Sequence, residues 1–267
     1  MKSKSTTQVT AEDILRFYKN TPGINEMGSF EKMEDEIRDY LVKVYEANHL
    51  ERIYQKGLKN GWIENFLTPP NDFTVVIGLG STMLWFEDEQ PPSRKVFVLE
   101  YSDFQCPFCK RVQATMTILR NRFADKVQFG YRHFPLPIHK EAQELAEAVE
   151  CARDQGRFWE LQTLIYRNAP RNLDKPHILN FAKQVGVKNL TDFENCWKEG
   201  KHKKRVFTDL QDGNQVGVQA TPTFIVGIHD PQSATISGEM FSGALSLNQF
   251  TRKIEKYISL TEVPPKG

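Results

Sequence analysis

The sequence predicts an α/β fold in which a helical block interrupts a β-α-β unit, with a helical arm in front. Three observations carry that expectation. An apolar β-type run, Val96 to Tyr101, leads through a short polar turn into a helical pattern, Val112 to Phe123. A second β-type run, Val127 to Phe134, follows and is stopped by Pro135-Leu136-Pro137, which cannot continue a ladder. After a long helical stretch, β character returns at Thr223 to Ile228, and an amphipathic helix, Leu247 to Ile258, closes the chain. Strand, helix, strand, helical block, strands and a last helix make an α/β order.

The chain has 267 residues, enough for one sizeable domain with an extension or for two small ones. Its 39% apolar and 26% charged content is that of a soluble globular protein. A net charge of +1 gives no electrostatic case for nucleic acid or an anionic membrane surface. No apolar run approaches the ~20 residues of a transmembrane helix. Residues Met1 to Gln8 lack the apolar core of a signal peptide, so the expectation is a cytosolic protein or one whose secretion signal was removed. Four cysteines, an even set, favour an oxidising compartment.

From the N-terminus, Thr10 and Asp13 form a capping-box-like start to a helix over Ala11 to Lys19, broken by Thr21-Pro22-Gly23. Phe30 to His49 repeats apolar residues at spacings of three and four (Phe30, Met33, Ile37, Tyr40, Leu41, Val44), with charge on the other side. A weaker amphipathic piece spans Leu50 to Phe66, and Pro69-Pro70-Asn71-Asp72 reads as a boundary. Residues 1–70 thus form an arm and 71–267 a second domain. Two short helices and a weak third cannot bury Phe30, Tyr40, Tyr45, Trp62 and Phe66 among themselves. Two readings stay open: the arm packs on its own fold, or residues 10–68 pair copies into a homodimer or trimer.

Phe73 to Gly78 is β-like, and Met83 to Phe86 is expected to be its hairpin partner. Pro91-Pro92 ends that element. Beyond Pro137, helices are expected over Glu141 to Asp154, Phe158 to Tyr166, Pro176 to Val185 and Asp192 to Val216, with breaks at Gly156, Gly186 and Gly200. This insertion, about 139–216, precedes the last strands, which reach Ala244.

Chemistry concentrates at Cys106-Pro107-Phe108-Cys109. The first cysteine sits where unpaired N–H groups and the positive dipole end of a helix stabilise an anion. A C-x-x-C thiol so placed is acidified, to roughly 3.5 to 7. Cys106 is read as the attacking thiol and Cys109, one turn in, as the resolving thiol. The alternatives are a zinc half-site, which lacks a second C-x-x-C, and an inert disulfide. Ala220-Thr221-Pro222-Thr223-Phe224 is the second informative stretch. A proline opening a strand costs no ladder donor, and a Thr221–Pro222 bond in cis would present the Thr221 backbone to a neighbouring chain. By base rate alone the bond would be trans.

Glu100-Tyr101-Ser102-Asp103-Phe104-Gln105-Cys106-Pro107-Phe108-Cys109, taken with Thr221-Pro222-Thr223-Phe224, resembles the DsbA family of thioredoxin-fold thiol-disulfide oxidoreductases over roughly residues 74–260. The resemblance implies a thioredoxin-like fold with an inserted helical domain and a cis Pro222 facing Cys106 and Cys109. It also implies a bacterial periplasmic or cell-envelope location, client proteins with cysteines, a DsbB-like or DsbD-like membrane redox partner, and no cofactor or metal. Glu100 matches the family's acidic residue upstream of the motif. Buried, it would accept the Cys109 proton; the alternative is a solvated strand-edge glutamate. Pro107 and Phe108 add no charged or basic group between the cysteines, unlike the histidine of the best-known oxidant, so Cys106 is expected to be less acidified. Cys151 and Cys196 look like the second cysteine pair of many relatives, a structural disulfide, with buried free thiols as the alternative. His133 and His139 are expected to be surface or capping residues rather than catalysts. The arm departs from the simple monomeric pattern and fits an oligomeric disulfide isomerase or reductase. A chaperone-like binding module is the reading from another class.

Overall fold

The computed structural model describes residues 9–20, 28–42, 53, 74–86, 94–168 and 174–262. The chain divides into two compact units, Met1–Asn71 and Asp72–Gly267. The expected boundary at Pro69–Asp72, the break at Pro91-Pro92, and the Leu50 to Phe66 piece apart from Ile53 lie outside the described residues.

In the first unit, α1 is Ala11–Asn20. It opens with a reciprocal cap: the Thr10 amide donates to Asp13 Oδ2 at 3.0 Å and the Asp13 amide to Thr10 Oγ1 at 3.2 Å. A second helix, α2, covers residues 30–42. The predicted spacing of three and four gathers Ile14, Ile37 and Leu41 into a small core edged by Phe17, Tyr18, Phe30 and Met33.

The second unit is built on a six-stranded sheet of order β1-β6-β5-β3-β4-β2. Its strands are β1 (Val75–Gly78), β2 (Met83–Leu84), β3 (Val96–Ser102), β4 (Val127–His133), β5 (Thr223–Asp230) and β6 (Thr235–Ser242). At the centre, β3 runs parallel to β4 and antiparallel to β5. The helices are α3 (Pro107–Arg122), α4 (Ala142–Arg153), α5 (Phe158–Asn168), α6 (Lys175–Gln184), α7 (Leu190–Lys198), α8 (Lys203–Gln215) and α9 (Leu247–Glu262). Strand periodicity assigns the faces of β3. Val96 and Val98 pack with Met116 and Leu119 of α3 and with Phe250 and Ile254 of α9. Phe97, Leu99 and Tyr101 point the other way, into a core shared with Val75, Ile225 and Ile236. Leu145, Val149, Phe158, Leu161, Ile178 and Phe193 of the helical insertion form one buried cluster with Phe104, Cys106, Cys109 of α3 and Tyr131 of β4. There α4 and α7 are joined by a Cys151–Cys196 disulfide.

The expected hairpin between Phe73–Gly78 and Met83–Phe86 does not form. Instead, β1 pairs with β6 at one edge of the sheet and β2 with β4 at the other. The reason is a buried cation. Arg132 of β4 donates Nη2 to the carbonyls of Gly78 (2.6 Å) and Leu79 (2.7 Å), and Nε to Thr82 Oγ1 at 2.9 Å. Those bonds satisfy the buried guanidinium and tie residues 78–82, which turn between Leu79 and Thr82 (amide to carbonyl, 2.9 Å), to β4. The break expected at Gly200 within Asp192 to Val216 is present: α7 and α8 are parted there, and Gly200 has a φ of +62°.

Candidate active site

Strand β3 delivers the site. All of Val96–Ser102 is buried, and the chain then turns through Asp103-Phe104-Gln105 into α3. The turn is tied down at Asp103, whose Oδ1 accepts from the Gln105 amide (2.7 Å) and whose Oδ2 accepts from the Leu136 amide (2.7 Å). His139 Nδ1 lies 2.8 Å from the same Oδ2. Cys106 is the N-cap of α3 and Pro107 occupies its first turn, where a missing N–H costs nothing. Cys109 follows one turn later. Both cysteines are thiols, with Cys106 4% exposed and Cys109 fully buried.

The second stretch meets the first. The Thr221–Pro222 peptide bond is cis, and the Thr221 carbonyl accepts a hydrogen bond from Cys106 Sγ at 3.2 Å. Thr223, the first residue of β5, pairs with Tyr101, and Phe224 pairs with Glu100. Thus residues about 115 apart in sequence form one face.

The two thiols are unlike. A hydrogen bond from Cys109 to its sulfur is the largest influence on Cys106; burial opposes it, and contacts with Thr221 and the Cys109 amide add to it, drawing Cys106 from 9.0 down to about 7. Burial pushes Cys109 well above the ordinary thiol value, and the neighbouring Cys106 adds to that. The pair is one ionisable thiol held beside a proton-bearing partner.

Glu100 lies beneath this pair with no exposure at all, so the strand-edge alternative does not hold. Its even-numbered position puts it on the α3 face, where Gln113 Nε2 donates to Oε1 at 2.8 Å. Burial raises its carboxyl above 4.5, against the charge of Arg120 and bonds from Ser102 and Gln113. Arg120, also buried, stacks over Trp85 (4.1 Å) and Trp159 (4.9 Å). Sequence reasoning missed Ser102, Asp103, Gln113, Arg120 and Tyr166. Only Ser102 and Gln113 left a signal, two positions after Glu100 on a strand and four after Cys109 on a helix. The two histidines are not surface groups: His133 Nε2 is 3.0 Å from Glu150 Oε1 with both side chains buried, and the His139 side chain is 8% exposed. Cys151, Cys196 and His202 bring ligand-type atoms within 4.8 Å, but the two sulfurs are bonded to each other and have no thiolate to offer.

A family model described as thioredoxin matches residues 92–255. The Na(+)/H(+) antiporter NhaA 1 of Mycolicibacterium gilvum is 33% identical over 138 residues, 51% of this chain and 22% of the antiporter. The chain therefore spans about a fifth of the length of the curated relatives it matches. Among the described residues no helix is long and apolar enough to cross a membrane. Oxidised BdbD from Bacillus subtilis superposes with a TM-score of 0.58 at 17% identity, covering 70% of this chain and 98% of that one. The thiol-disulfide exchange protein alpha-DsbA2 from Wolbachia pipientis gives 0.52 at 19% identity, covering 63% and 84%. These likenesses are likenesses of fold.

Proposed function

The chain belongs to the thioredoxin family, and on that premise we propose that it is a thiol-disulfide oxidoreductase working through Cys106 and Cys109. The unequal pair carries the reading: a thiol drawn down to about 7 at the start of α3, against a buried partner that keeps its proton. In the oxidising direction, a client thiolate attacks Cys106 of the disulfide. A client–Cys106 bond forms, the Cys106–Cys109 bond breaks, and Cys109 leaves as a thiolate that takes up a proton. A second client thiolate then attacks the client sulfur of the mixed disulfide, and Cys106 leaves as a thiolate. The client gains a disulfide and the enzyme is left reduced. Run the other way, Cys109 gives up its proton as it attacks Cys106 and expels the client thiolate. Glu100 is the proton acceptor, and the Thr221 backbone with Pro222 forms the edge that receives the client chain.

Clients are cysteine-containing proteins, and a membrane-bound DsbB-like or DsbD-like partner resets the pair. The place of action is the bacterial periplasm or cell envelope, a reading supported by the Cys151–Cys196 disulfide, since such bonds persist in oxidising compartments. Residues 1–70 act as an arm that pairs copies, and 71–267 as the oxidoreductase domain. The test uses the full chain, with Cys106→Ser as blank, on a reduced client and on a scrambled one. Formation of native disulfides above the blank supports the reading, and activity on the scrambled client marks an isomerase. Equal behaviour of the chain and its blank on both clients ends it. Chaperone activity that survives Cys106→Ser would favour a binding module.

A further inference from the structure

Asp103 commits its backbone and its side chain alike to the turn that carries the cysteines. Its carbonyl accepts from the Cys106 amide at 3.2 Å. Its own amide, the first N–H beyond β3, donates to Cys109 Sγ at 3.5 Å. The two backbone groups of one residue thus hold both cysteines. The side chain fixes where that backbone sits. Oδ1 accepts from the Gln105 amide, and Oδ2 accepts from the Leu136 amide beyond the end of β4, each at 2.7 Å. His139 Nδ1, 2.8 Å from Oδ2, makes a third tie. Asp103 is 1% exposed and Cys109 fully buried, so the contact between them is closed to water. A thiol sulfur is a weak acceptor, and a buried N–H is poorly compensated by it while Cys109 keeps its proton. Ionised sulfur turns the same contact into a charge-assisted bond, shorter and roughly twice as strong. The donor is in place before the charge that it suits arrives.

We propose that the Asp103 amide is the donor that holds negative charge on Cys109 during exchange, and that the Asp103 side chain is the positioning group that aims it. This rests on the exchange chemistry proposed above, in which Glu100 takes the Cys109 proton. In resolution, Cys109 attacks Cys106 of the mixed disulfide as a thiolate. The Cys106–Cys109 bond forms, the client–Cys106 bond breaks, and the electron pair leaves on the client sulfur. In the oxidising direction a client thiolate attacks Cys106, the Cys106–Cys109 bond breaks, and the electron pair passes to Cys109 Sγ, which then takes up a proton. Cys109 bears charge midway through both reactions and at neither resting end. The amide therefore lowers the barrier in both directions. The carboxyl alone would do the reverse: burial is the main cause that lifts the Cys109 thiol, and the Asp103 charge adds to it. The ties to Gln105, Leu136 and His139 are what turn an unhelpful charge into a useful residue.

The reduced full-length protein reacting with dithiobis(nitrobenzoate) separates the steps. Cys106 releases the first coloured thiolate, and Cys109 resolves the adduct and releases the second. One variant carries the α-hydroxy counterpart of aspartate at position 103, introduced with a suppressor tRNA, so that an ester oxygen replaces the N–H and the carboxyl stays. A hydrogen bond to a charged acceptor favours ionisation by about ten- to a hundredfold. Brønsted behaviour leaves a little over half of that, on a logarithmic scale, in the rate. The second phase should slow about 4- to 12-fold, with the first phase within about two-fold of wild type. Asp103→Asn gives a test by sign. It removes the charge, which alone would speed the second phase, and it removes Oδ2 with its ties to Leu136 and His139, which slows it. The expected net result is a slower second phase. Should Asp103→Asn not fold, the ester variant, which keeps the ties, decides. An unchanged second phase in the ester variant overturns the donor, and a second phase in Asp103→Asn as fast as wild type or faster overturns the positioning role. If wild type shows no second phase at all, the oxidoreductase reading fails instead.

Discussion

Replacing Cys109 with alanine should move the reactivity of Cys106 in opposite directions at neutral and alkaline pH. The Cys109 hydrogen bond is the largest cause of the fall from 9.0 to about 7. That displacement is worth about 3 kcal/mol in favour of the thiolate. In Cys109→Ala the burial that opposes ionisation remains, so the midpoint climbs toward 9.0. At pH 7 the thiolate population falls from roughly one half to about 1%. The more basic thiolate is intrinsically the better nucleophile, by about 8-fold for a Brønsted coefficient near 0.45. The two effects combine to a rate about 6-fold slower than wild type at pH 7 and about 7-fold faster at pH 10. The first phase of thiolate release from dithiobis(nitrobenzoate), followed from pH 5 to 10, reads both limits and the crossover. Because the folded value lies below the unfolded one, reduced wild type also gains stability between pH 7 and 9, and Cys109→Ala should lose that gain. A Cys109→Ala profile that keeps its midpoint near 7 would refute the reasoning and leave the helix N-terminus as the source of the acidity.

Other outcomes follow from the same geometry. In Glu100→Gln the second phase of that reaction should slow with the first intact. Since burial raises the Glu100 carboxyl above 4.5, its ionisation weighs against the fold. Wild-type stability should therefore fall relative to Glu100→Gln as pH rises from 4.5, and converge below it, in thermal melts at a series of pH values. Removing both Cys151 and Cys196 as alanines opens a loop with a separation of 45 residues and should cost up to about 4 kcal/mol by chain entropy, read by urea unfolding. Gly130→Ala should destabilise by about 1–3 kcal/mol, because its Cβ would stand 2.5 Å from Thr82 Cγ2 and 2.7 Å from Phe97.

Local chemistry was enough for a good part of this protein. The α/β order, the strand that feeds a helix through Cys106, and the proline-led strand at Thr223 are set by period, turn residues and caps within a few positions of one another. That is why α1, β3, α3 and β4 fall within a few residues of where the pattern puts them. The match of Glu100 to a known motif told where a carboxylate stands, and only packing put it out of reach of water. Pairing was not legible in the same way. The hairpin of β1 and β2 was a sound inference from adjacency, and it lost to the need of Arg132, some fifty residues further on, for the carbonyls of Gly78 and Leu79. The motif alone points to the helix end as the source of Cys106 acidity, whereas the largest cause in the fold is the hydrogen bond from Cys109. Ser102 meets Tyr166 across 64 residues. A buried polar group must find its partner wherever the fold brings one, and side-chain period along the chain carries no record of that distance.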